Sequence, residues 1–152
     1  MKIVLAEDSS TMRKILVRLL NSLGYDDIRE AEDGAQALKL VLDESFDLLI
    51  TDWDMPNMSG LELINVLRTN PDTVDIPILV STSRSGQDEV IEAMSTGAND
   101  FISKPFNDVE LKAKIESVLK SVNVLIAEDS TSMMGVLKKM LEGMGYSNVY
   151  EA

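Results

Sequence analysis

The sequence predicts an α/β fold: a doubly wound, five-stranded parallel sheet with helices on both faces. Three observations carry this. Short apolar runs alternate with helix-length amphipathic segments, the pattern of strands joined by crossover helices. The runs lack the apolar–polar alternation of a half-solvated sheet, so both of their faces are covered. Glycine, proline and Asp-Gly signals punctuate the joins.

Each unit can be justified in turn. Lys2 to Ala6 is a continuous apolar run, and Met12, Ile15, Leu16, Leu19, Leu20 and Leu23 then recur at helical spacing with Gly24 in the stop position. Ile28 to Ala31 is a second strand, and Asp33-Gly34 turns the chain into a helix carrying Ala37, Leu38, Val41 and Leu42. Phe46 to Asp52 is the third strand. Its loop, Trp53 to Ser59, contains Pro56 and leads through Gly60 into a helix with Leu61, Ile64 and Leu67 that ends near Pro71. Ile76 to Thr82 is the fourth strand, followed by a helix with Val90, Ile91 and Met94 that stops at Gly97. Phe101 to Ser103 is the fifth, and beyond Lys104-Pro105 a last helix sets Leu111, Ile115, Val118 and Leu119 on one face.

Composition removes whole classes of chemistry. The 152 residues contain neither cysteine nor histidine, so disulfides, thiolate nucleophiles, imidazole bases and the usual zinc sites are excluded. Carboxylates, hydroxyls, lysines and hard cations remain, and for a carboxylate cluster beside a phosphate the expected cation is magnesium before calcium. No apolar run approaches the roughly 20 residues of a spanning helix, and the amino terminus reaches Glu7-Asp8 too early for a signal peptide. A cytoplasmic location without membrane insertion is expected. With 14 basic and 26 acidic residues the net charge is −12, which repels nucleic acid and anionic lipid and leaves proteins as the expected partners.

In a sheet buried on both faces, a polar residue at a strand's carboxyl end either caps the next helix or faces the crevice where doubly wound sheets bind ligands. Four ends qualify: Glu7-Asp8, Asp52, Thr82 and Lys104. Singly, each has an ordinary reading as cap, turn residue or surface charge. Together at one sheet edge, three carboxylates demand a counter-charge, which a divalent cation supplies. One carboxylate oxygen then stays free to attack, while Lys104 and the Thr82 hydroxyl offer donors to an incoming anion. That set suits phosphoryl transfer.

The stretches AEDSSTMRKIL, TDWDMPNMSGLEL, PILVSTS and DFISKPF together resemble the receiver domain of two-component response regulators, in particular its CheY-like chemotaxis members, over residues 1–121. The resemblance implies a flavodoxin-like strand order 2-1-3-4-5. It implies that Asp52 accepts phosphate from the phosphohistidine of a sensor histidine kinase. Asp8 and Asp52 are then direct Mg2+ ligands, with Glu7 acting through water and Asp54 through its backbone carbonyl. Thr82 and Lys104 become the phosphoryl contacts, and Phe101 the aromatic switch beside Thr82, although ordinary core packing explains Phe101 equally well. The Lys104-Pro105 bond is expected to be cis. Such a protein is not an enzyme in the usual sense, since it catalyses only its own phosphorylation and dephosphorylation. Its output is a changed face of the fourth helix, fifth strand and fifth helix, read by a flagellar motor switch protein or another protein target.

Two positions depart from the common pattern. Glu7 stands where aspartate is frequent, and Phe101 lacks the hydroxyl of the tyrosine seen in many chemotaxis members. Asp54 and Arg84, each two residues beyond a site residue, carry opposite charges and are expected to pair across the pocket mouth and modulate phosphate loss.

Residues 122–152 repeat the start of the chain at an offset of 121. Glu7-Asp8 recurs as Glu128-Asp129, Gly24-Tyr25 as Gly145-Tyr146 and Glu30-Ala31 as Glu151-Ala152, and 11 of 30 aligned positions are identical. Met133, Val136, Leu137, Met140, Leu141 and Met144 repeat the helical spacing. The expectation is a partial second receiver of strand, helix and strand, with no counterpart of Asp52, Thr82 or Lys104. About 30 residues are too few for an independent core. Exchange with residues 2–31, in the same sheet or a neighbour's, would make a homodimer by domain swapping where it occurs between chains.

Two other functions compete. A phosphohydrolase of the haloacid dehalogenase type also uses an Asp-x-Asp pair, a hydroxyl, a lysine and distal acids. Its residue order differs, because that family opens with the Asp-x-Asp. A flavin-binding flavodoxin-like module would set Glu7-Asp8 against the flavin phosphate. A receiver fragment of a multi-domain tandem-receiver output protein is a further alternative.

Overall fold

A computed structural model of the chain describes residues 1–84, 86–120, 124–126, 131–143 and 149–151. Five units follow one another: β1 (Lys2–Ala6), α1 (Ser10–Ser22), β2 (Asp27–Ala31), α2 (Gly34–Asp43), β3 (Leu48–Asp52), α3 (Gly60–Thr69), β4 (Ile78–Thr82), α4 (Gln87–Thr96), β5 (Asp100–Ser103) and α5 (Asp108–Lys120). The strands form one parallel sheet in the order β2-β1-β3-β4-β5. This is the flavodoxin-like arrangement that was expected.

Alternation along each strand divides the core in two. Ile3, Leu5, Leu48, Ile50 and Leu79 pack with Leu16 and Leu20 of α1 and with Leu111, Ile115 and Val118 of α5. Val4, Ala6, Leu49, Ile78 and Val80 face the other way, against Ala37 and Val41 of α2, Leu63, Ile64 and Leu67 of α3, and Ala93 of α4. Burying each such aliphatic side chain stabilises the fold by about 1.5–3 kcal/mol.

Two strands begin later than predicted. β4 starts at Ile78 rather than Ile76, because Ile76 N–H closes a turn onto Thr73 O and Pro77 has no N–H to donate. β3 starts at Leu48 rather than Phe46; Asp47 N–H bonds Lys2 O, and its carboxylate accepts from Lys2 N–H at the sheet's lower edge. The predicted apolar face of α4 is also corrected. Ile91 and Met94 are exposed, and Ala93 is the residue that α4 buries.

Beyond α5 the described residues form β6 (Val124–Ile126), α6 (Thr131–Gly143) and β7 (Val149–Glu151). β6 and β7 form their own parallel pair, and its register, Val124↔Val149 to Ile126↔Glu151, is that of Ile3↔Ile28 to Leu5↔Glu30 moved by the same offset. Residues 2–31 occupy their own place in the five-stranded sheet. On α6, Leu137 and Leu141 are half-buried while Val136 and Met140 are exposed. Glu128-Asp129, Met144, Gly145-Tyr146 and Ala152 lie outside the described residues.

Candidate functional site

The carboxyl ends of β1, β3 and β5 bring Glu7, Asp8, Asp52 and Lys104 together in one crevice. Ser9, not Asp8, is the N-cap of α1 and accepts from Met12 N–H at 3.3 Å, which leaves the Asp8 carboxylate uncommitted. Glu7, Asp8 and Asp52 each offer a carboxylate oxygen, and these oxygens all lie within 4.8 Å of one another. An all-oxygen set of three acids fits a hard divalent cation of the magnesium type.

Asp52 ends β3 with its side chain 12% exposed. One carboxylate oxygen accepts from Trp53 N–H at 2.7 Å, and the other lies 3.2 Å from Lys104 Nζ. The close packing of α3 fixes this strand end: Gly60 N–H bonds Trp53 O at 2.9 Å, and a Cβ on Gly60 would stand 2.1 Å from Asp52 O. Only glycine permits that approach.

Lys104 Nζ also donates to Glu7 Oε2 at 2.7 Å, so one ammonium bridges two acids. Burial pushes the Glu7 carboxyl above the ordinary glutamate range, the Asp52 charge adds to this, and hydrogen bonds from Lys104 and Ser9 oppose it. Burial works against the Lys104 ammonium as well. Its bond to Glu7 and the charges of Asp52 and Glu7 outweigh that penalty, and its pKa is held above the usual lysine value. The lysine thus supplies part of the counter-charge that the sequence assigns wholly to a cation.

Thr82, 4% exposed, accepts from Arg84 N–H at 2.9 Å. Lys104 N–H bonds Thr82 O at 2.8 Å, which ties the ends of β4 and β5 together, and the Lys104-Pro105 bond is cis. Thr82 and Phe101 line the same narrow space together with Trp53, Val90 and Ala93. The Asp54 carboxylate is 60% exposed and is engaged by Arg84, so it stands outside the acidic triad.

Two supports went unread in the sequence. Asp33 caps α2 through Gln36 N–H at 2.8 Å, and its second oxygen accepts from Asn57 Nδ2 at 2.7 Å, where Asn57 holds φ +62° in the loop after β3. Gly34 N–H bonds Met58 O at 3.0 Å alongside. The Asp33-Gly34 signal marked a turn; nothing local to it pointed to Asn57. The second is Arg13, whose guanidinium reaches Glu7 O at 2.7 Å, Glu30 at 3.1 Å and Glu32 at 3.2 Å.

A 2-1-3-4-5 parallel sheet with acids, hydroxyl and ammonium converging at its carboxyl edge defines a class of protein, the flavodoxin-like domains that bind at a topological switch point. Residues 3–116 match the response regulator receiver domain family. The chain is 41% identical over 123 residues to the chemotaxis protein CheY of Pseudomonas aeruginosa, covering 81% of this chain and 99% of that one. It is 46% identical over 120 residues to a CheY homolog of Campylobacter jejuni, covering 78% and 92%. Among solved structures it resembles the chemotaxis response regulator CheY4 of Vibrio cholerae (TM-score 0.72, 30% identity, 77% of this chain and 97% of that one). It also resembles the receiver domain of a Pseudomonas aeruginosa sensor histidine kinase with a magnesium ion coordinated in the active-site cleft (TM-score 0.73, 26% identity, 79% and 98%). The chain belongs to the response regulator receiver family and is a two-component signalling switch. That membership favours the receiver reading over the hydrolase and flavin alternatives.

Proposed function

We propose that Asp52 accepts a phosphoryl group from the phosphohistidine of a sensor histidine kinase, with Mg2+ held by Asp8, Asp52, Glu7 through water and the Asp54 carbonyl. The observation that carries this reading is the convergence of the acidic triad and Lys104 on the Asp52 carboxylate. An Asp52 oxygen attacks phosphorus; the O–P bond forms as the P–N bond breaks, and its electron pair leaves with the imidazole. Bound magnesium supplies neutralisation of the acids and of the phosphoryl oxygens. Lys104 and the Thr82 hydroxyl donate to those oxygens, and the Asp54–Arg84 pair hinders water from reaching the acyl phosphate.

Phosphorylation adds roughly two negative charges at one point. Thr82 gains its contact by moving toward them, and Phe101, which lines the same space, fills the room vacated. The face of α4, β5 and α5 changes with it, at a coupling of about 1–3 kcal/mol. Given the chemotaxis proteins among its relatives, the partners are a chemotaxis-type kinase and a flagellar motor switch protein or other protein target. The setting is cytoplasmic; among the described residues no helix is long and apolar enough to cross a membrane. The test is phosphotransfer from a phosphorylated histidine kinase domain with magnesium. The wild type takes up label and Asp52→Asn does not; equal labelling of both rejects the assignment.

Residues 1–121 then form the receiver domain and 122–152 a partial second receiver. The shared register of β1–β2 and β6–β7 supports this division. Exchange of the two units between chains gives a dimer, and light scattering that reports a monomer at high concentration rejects that exchange.

A further inference from the structure

Asp8 is exposed and has no side-chain hydrogen bond or ion pair among the described residues, so beyond its own rotamer its placement depends on the backbone that carries it. That backbone is held from both sides. Glu7 N–H donates to Ala31 O at 3.1 Å, and Glu7 O accepts from Arg13 Nη1 at 2.7 Å. The second contact fixes the peptide that joins Glu7 to Asp8. Arg13 is itself pinned, 12% exposed, by Glu30 at 3.1 Å and Glu32 at 3.2 Å from the end of β2.

We propose that Arg13 is a positioning residue for the metal site, fixing the Glu7–Asp8 peptide so that Asp8 is aimed into the acidic triad. The inference rests on the reading of that triad as a divalent-cation site. Its charge does not by itself explain its presence. A cation in the first turns of α1 opposes the helix dipole, and a cation beside a metal site repels the metal. Its pairs with Glu30 and Glu32 are solvent-exposed on the acidic side and contribute little stability. What it does supply is geometry: one planar fork donating in three directions, which a lysine ammonium does not reproduce. In the repeat, the corresponding residue is Met134.

The experiment is calorimetric titration of the full chain with MgCl2 for wild type, Arg13→Lys and Arg13→Ala, with Trp53 fluorescence and thermal unfolding measured alongside. Loss of an outer support of this kind weakens metal affinity about 10-fold or more, and both variants are expected to show it. Arg13→Lys keeps the charge and a folded chain, so its weakening isolates the fork. If Arg13 were only a nearby charge, Arg13→Ala would bind magnesium more tightly and Arg13→Lys like wild type. Unchanged affinity with a lowered Tm would reduce Arg13 to a structural residue and overturn the proposal. Failure of the wild type to bind magnesium would overturn the metal-site reading itself, and the proposal with it.

Discussion

Arg84 and Asp54 form a bidentate pair across the mouth of the crevice, with Nε 2.8 Å from Oδ2 and Nη2 2.9 Å from Oδ1. Both side chains are at least half exposed, so the pair adds at most about 1 kcal/mol to stability. The pair bridges the loops that follow β3 and β4, and under the proposed function its role there is steric.

Arg84→Ala is therefore expected to leave the Tm nearly unchanged and to shorten the lifetime of the phosphorylated protein severalfold, measured as loss of label after the donor is removed. An unchanged or longer lifetime would reject the shielding role.

Lys104→Met leaves Glu7 and Asp52 facing each other without their shared ammonium. Removing one partner from a largely buried pair is expected to cost about 1–3 kcal/mol at neutral pH without magnesium, less than a fully buried pair would lose. Saturating magnesium should restore most of it, because the cation replaces the missing charge. Denaturant unfolding with and without the ion reads both effects.

Asp33 is a cap whose bonds from Gln36 N–H and Asn57 hold its carboxyl below the ordinary aspartate range. A depressed folded pKa contributes stability that is present above the unfolded value, near 4, and lost as pH falls through the folded one. Asp33→Ala should cost about 1–2 kcal/mol at pH 7. The difference between Asp33→Asn and wild type should shrink as pH falls below 4 and through the depressed folded value, beneath which the carboxyl is neutral in both states of the wild type. Urea melts across that window check the sign.

Ser81 Oγ is buried with no hydrogen-bond partner among the described residues. An unmatched hydroxyl there costs about 1 kcal/mol or more, so Ser81→Ala should stabilise the protein by about that amount. A loss of stability in chemical denaturation would mean that the hydroxyl is satisfied in solution.

The fold was legible because strands buried on both faces leave unbroken apolar runs, and Lys2 to Ala6 needs no partner to be recognised. The acidic cluster was legible because its residues sit at strand ends, where a sheet of this topology brings Glu7, Asp8 and Asp52 together with Lys104. Two kinds of feature escaped. The face of α4 was misread because the apolar Ile91 and Met94 are exposed, while the small Ala93 makes the contact. The supports, Arg13 on Glu7 O and Asp33 on Asn57, join residues whose partners are set by tertiary packing, and no local spacing announces them.

The most direct measurement is intact mass after incubation with a small phosphodonor such as acetyl phosphate. Wild type with magnesium should gain one phosphoryl group, which alkali removes, while Asp52→Asn and wild type without the ion should gain none. Labelling that survives in Asp52→Asn, or that needs no divalent cation, would contradict the account of Asp52 as the nucleophile at a metal-dependent site.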